Sequence, residues 1–136
     1  MKKVIWMIGI QALCTFAAMA QTDTLPFSPW REAGGFLYLS GQIALPPEGG
    51  TFTVAEETKA IMEKIGAILK EKGYTFDEVV RATVYLRNID DYAAMNRAYA
   101  PFFNAPNFPA RVCVGGMDLV RNCRVEISCV AYKEKP

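Results

Sequence analysis

Apolar and polar residues recur along the chain with two different periods, and the switches between them mark the elements. In WREAGGFLYLSGQIAL, residues 30–45, the alternation is strand-like on both sides of Gly34-Gly35. Phe36, Tyr38 and Ser40 share one face there, and Leu37, Leu39 and Gly41 the other. Two short strands joined by a glycine turn are predicted, followed by a loop at PPEGG. The period then lengthens. Thr53 and Glu56 have the spacing of a capping box, and Val54, Ile61, Met62, Ile65, Ile68 and Leu69 fall on one helical face. Gly73 stands where a helix cap belongs. DEVVRATVYLRN returns to a period of two and predicts a strand with Val80, Ala82, Val84 and Leu86 turned inward. Asp90 or Asp91 caps a second predicted helix, whose inner face holds Tyr92, Met95 and Tyr99, with Phe102 beyond. Pro101 should end or kink it. Two last strands are expected over about 110–117 and 123–133.

The predicted order is β-β-α-β-α-β-β, with no repeats or low-complexity tracts. That is an α+β layer architecture, one mixed sheet with both helices on one face. The other sheet face keeps apolar residues, so self-association is expected.

The first twenty residues stand apart from this pattern. Lys2 and Lys3, an apolar run from Val4 to about Ala18 and the ending AMA have the layout of a secretory signal peptide. Cleavage is expected between Ala20 and Gln21, leaving 21–136 as one domain that is periplasmic or secreted. The apolar run is short for a span of about 20 residues, so no stable membrane anchor is expected. Removing the segment takes away two lysines and no acids, leaving 13 basic and 14 acidic side chains. This balance does not suit a nucleic-acid partner, which calls for a basic excess or stripe. The exported chain would keep Cys113, Cys123 and Cys129, an odd number and a poor disulfide framework. It has no histidine. That excludes a Ser-His-Asp or Cys-His hydrolase and, with no C-x-x-C spacing, argues against a zinc site.

Two charges interrupt the last strand-like runs. Arg111 follows Pro109-Ala110 at the start of a strand, where its planar fork could grip a carboxylate with two parallel hydrogen bonds. The plainer alternative is a salt bridge to a nearby acid. Glu126 lies in CRVEISCVAY, with Arg124 and Ser128 on its face and Val125, Ile127 and Cys129 on the other. A solvated strand face is its plainer alternative. If the two last strands are antiparallel neighbours, Glu126 comes near Cys113 and Arg111 on one wall. Such a pair suits a small anion and an activated water. With one carboxylate, it does not suit glycoside hydrolysis.

FPARVCVGGMDLVRNCRVEIS, together with SGQI and DDYAAMNRAYAPFF, resembles the RidA family of enamine/imine deaminases over about residues 26–132. The resemblance implies a chorismate mutase-like fold and a homotrimer with a ligand cleft at each subunit interface. It implies that Arg111 binds the substrate carboxylate, that Glu126 orients the hydrolytic water, and that Cys113, Ser40 and Asn96 line the pocket. Trp30 falls where members often have a tyrosine. Gly115, Gly116, Met117 and Pro101 also depart from the family pattern. The implied activity is deamination of a short 2-imino acid or its enamine to a 2-oxo acid and ammonia, with neither metal nor organic cofactor. A non-catalytic module that captures a small carboxylate in the same cleft remains open. RNA cleavage or translation inhibition, attached to some relatives, fits the charge balance poorly.

Overall fold

In the computed structural model, which describes residues 26–134, the first two strands part where two glycines take positive φ. β1 (Trp30–Ala33) and β2 (Phe36–Gln42) pair antiparallel across Gly34 and Gly35, whose φ values are 56° and 84°. Side chains with a Cβ resist that region, so the glycine pair sets the hairpin. The expected signal segment and its cleavage point lie outside the described residues.

Helix α1 (Val54–Glu71) begins at the expected capping box. The Thr53 hydroxyl accepts from the Glu56 N–H at 3.3 Å, and the Glu56 carboxylate accepts from the Thr53 N–H at 2.8 Å. Its buried stripe of Ile61, Met62, Ile65 and Leu69 packs on the sheet residues Leu37, Leu39, Val84 and Ile127. β3 (Val79–Leu86) turns Val79, Ala82, Val84 and Leu86 to this core. Val80, expected inward, is 46% exposed. Its strand slips register against β5 between Val79 and Arg81, and the extra residue of that bulge turns outward.

Helix α2 (Tyr92–Tyr99) stops two residues before Pro101, which sits in a short 3-10 turn. Asp91 takes the expected cap position but not the capping role. The Asp91 side chain makes no capping bond and instead pairs with Arg124 at 2.8 Å. Arg124 lies just ahead of the last strand, and its guanidinium reaches Asp91 at the start of α2.

β4 (Ala110–Val114) and β5 (Val125–Tyr132) are shorter than expected, and they are not neighbours. The sheet order is β1-β2-β5-β3-β4, with β4 parallel to β3 and β5 antiparallel to both β2 and β3. Residues 87–109, α2 included, supply the long crossover that a parallel pair needs. β5 buries Val125, Ile127, Cys129 and Ala131 in alternation. It takes a central place in the sheet and leaves β4 at the edge.

Both helices cover one sheet face. The other presents Tyr38, Val112, Val114 and Tyr132, each between 39% and 46% exposed. A bare, partly apolar sheet face was expected, and it is present.

Candidate functional site

Arg111 is paired in register with Ala82, which is buried, so its side chain rises on the helix-covered face. Because β4 is an edge strand, the guanidinium reaches over α2. Four residues at helical spacing there, Tyr92, Met95, Asn96 and Tyr99, form its bed. Nη2 donates to Asn96 Oδ1 at 2.6 Å and to the Tyr92 hydroxyl at 3.4 Å. Nη1 lies 3.9 Å from Met95 Sδ, and the guanidinium carbon is 4.8 Å from the centre of the Tyr99 ring. All of these partners are neutral. Among the described residues Arg111 forms no ion pair, so the salt-bridge alternative fails. The result is a cation braced by hydrogen bonds and an aromatic face, with its charge uncompensated. It borders an open cleft of roughly 440 Å³ lined also by Asn96, Tyr99, Ala100, Phe108 and Pro109.

Cys113 follows two residues later on the same face and is half-buried. Burial pushes its thiol above the ordinary value, and the nearby Arg111 charge offsets only part of that. A protonated thiol is a poor nucleophile, so Cys113 suits the wall of the site and not its chemistry.

Glu126 stands on the opposite sheet face. Its register partner is Tyr85, which in turn pairs with Val114, and these residues alternate with the buried ones. The expectation that Arg111 and Glu126 share a wall is therefore corrected. Two strand spacings and three residues of offset separate their Cα atoms by about 14 Å, and their side chains leave the sheet in opposite directions. The carboxylate of Glu126 lies over Gly41 of β2 so closely that a Cβ at that position would collide with it. Ser40 is next to that glycine, and its hydroxyl donates to the Ser28 carbonyl at 2.6 Å. The start of β5 is anchored from below. Buried Glu57 of α1 accepts from the backbone N–H groups of Arg124 and Val125 at 2.8 and 3.0 Å.

The proposed site residues thus fall into three groups in one copy. Arg111, Cys113 and Asn96 come together on the helix-covered face, and Glu126 and Ser40 lie on the bare face. Trp30 belongs to neither. It pairs with Leu39 on β1, at the far edge of the sheet from β4, with Lys72 Nζ 3.7 Å from its ring centre. Sequence reasoning missed Tyr92 and Tyr99 as parts of the arginine site, because their helical spacing reads as core, and Phe108, which lies in the loop before β4. A polar Asn96 inside that same helical stripe was the available signal. Gly41 and Glu57 left no comparable mark.

A family model described as Endoribonuclease L-PSP matches residues 18–133. A RutC family protein of Pyrococcus horikoshii is 38% identical over 112 residues, spanning 80% of this chain and 88% of its own length. The human protein named 2-iminobutanoate/2-iminopropanoate deaminase is 40% identical over 100 residues, 71% of this chain and 72% of the human one. The crystal structure of a YjgF family member from Neisseria meningitidis superposes with a TM-score of 0.73 at 35% identity. It covers 83% of this chain and 92% of that one.

Proposed function

This chain belongs to the RidA/YjgF family, and we propose that it hydrolyses short 2-imino acids, in equilibrium with their enamines, to 2-oxo acids and ammonia. The observation that carries this reading is Arg111, a cation held in a neutral cradle beside a cleft and without a counter-ion among the described residues. Such a group is prepared for a carboxylate, whose binding restores charge balance without prior loss of a protein partner.

An imine carbon is already electrophilic, so a fixed carboxylate and one placed water supply much of the catalysis. Glu126 takes a proton from that water as its oxygen bonds to the C=N carbon. That proton passes to nitrogen to give a carbinolamine; its hydroxyl proton then follows to nitrogen as the C–N bond breaks, and ammonia leaves with the carbonyl formed. Since Glu126 and Arg111 of one copy face apart, the water-handling carboxylate comes from a second copy packed through the bare face. The family resemblance makes the assembly a homotrimer, with Ser40 contributing beside Glu126 from the bare face. The signal-like pattern of residues 1–20 supports a place outside the cytoplasm for this reaction.

The test is ammonia release from an imino acid generated in situ by an amino acid oxidase. Arg111→Lys keeps the charge but loses the fork, and should weaken substrate binding. Glu126→Gln should lower turnover by about 100-fold or more while carboxylate binding survives. If the parent binds 2-oxo acids but releases no ammonia, the chain is a carboxylate-binding module and the catalytic reading fails.

A further inference from the structure

One of the four side chains around the Arg111 guanidinium is held differently from the others. Asn96 is bonded at 2.6 Å, while Met95 and Tyr99 are buried beneath the cation. Tyr92 is 43% exposed, and its oxygen accepts from Nη2 at 3.4 Å, beyond the usual range of an N–H···O bond. Its hydroxyl proton has no acceptor among the described residues. A phenol both donates and accepts, so Tyr92 offers Arg111 a weakly used oxygen and keeps its donor unspent.

A carboxylate arriving at Arg111 is the stronger acceptor, because both partners then carry charge. It displaces the phenol oxygen from Nη2 and brings an anionic acceptor to the O–H. We propose that Tyr92 is a substrate-binding residue whose hydroxyl donates to the same carboxylate that Arg111 grips. This rests on the reading that Arg111 binds a carboxylate. Tyr92 then adds a point of contact from the first turn of α2, which sets the orientation of the acid on Arg111. Asn96 has its oxygen committed to the guanidinium and acts as a positioning residue.

The experiment is a calorimetric titration of the full chain with 2-oxobutanoate, the carboxylate product of the proposed reaction. Tyr92→Phe removes only the hydroxyl. It should weaken binding about tenfold, as loss of one hydrogen bond to a charged group does, with the melting temperature unchanged. A crystal structure of the parent complex should show the phenol oxygen within about 3 Å of a carboxylate oxygen. Unchanged affinity in Tyr92→Phe, with Arg111→Lys weakened, overturns the role of Tyr92 and leaves the arginine reading intact. A phenol still on Arg111 and out of reach of the ligand also overturns it, since Tyr92 is then only a brace. If the parent does not bind 2-oxobutanoate, or Arg111→Lys binds it as well as the parent, both readings fall together.

Discussion

Two impaired variants of this protein, assayed at limiting substrate, should restore activity in each other. Arg111 and Glu126 leave opposite faces of one sheet, with Cα atoms about 14 Å apart. A single copy cannot close both on one small substrate. In the proposed ring each site would take Arg111 from one copy and Glu126 from another. Arg111→Lys and Glu126→Gln homo-oligomers then carry one defect in every site. Equal mixing with subunit exchange places an intact arginine opposite an intact glutamate at about one site in four, and the remaining sites keep at least one defect. Recovered turnover should therefore approach about 25% of the parent value, against about 1% or less for Glu126→Gln alone. The assay is coupled ammonia release before and after exchange, with native mass spectrometry to confirm mixed assemblies. If mixed assemblies form and turnover stays at the mean of the two single variants, the shared site is refuted.

Gly41→Ala places a methyl group where the Glu126 carboxylate lies. Turnover should fall at least about tenfold while 2-oxobutanoate affinity is kept, and equal turnover would show that Glu126 does not act from this position. Glu57→Ala leaves the N–H groups of Arg124 and Val125 unpaired in the interior. Urea unfolding should show a loss of about 2–4 kcal/mol, with Glu57→Gln milder because it retains an oxygen; equal losses would contradict this account. Burial raises the Cys113 thiol above its ordinary value near 9, so its thiolate is scarce at pH 7 and becomes abundant only as pH climbs through the raised value. Iodoacetamide labelling of Cys113, followed by peptide mass spectrometry, should be slower than that of a free thiol at pH 7 and still accelerating at pH 9. A plateau below pH 8 would mean that the Arg111 charge outweighs burial.

Local patterns carried much of the fold into view. A capping box needs residues three apart, and a glycine hairpin needs only its own two positive φ values. The first helix, the first hairpin and the stop before Pro101 were therefore legible in short windows. Arg111 stood out as a charge at the start of an apolar strand after Pro-Ala, but a salt bridge stayed the plainer reading until the structure gave it only neutral partners among the described residues. The sequence alone could not determine which strands lie side by side. β5 inserts between β2 and β3, and α2 carries the chain across to a parallel edge strand. Both choices depend on burial summed over the whole sheet. The same assembly decides the faces of β4. Val112 and Val114, its most apolar residues, face the bare side, while Arg111 and Cys113 face the helices. An edge strand has room for a cation over α2. Its valines are left exposed among the described residues, so alternation within the strand names the two faces without saying which is inward. The separation of Arg111 from Glu126 follows from that geometry, because their strands are held apart by β3 and their side chains leave the sheet on opposite faces.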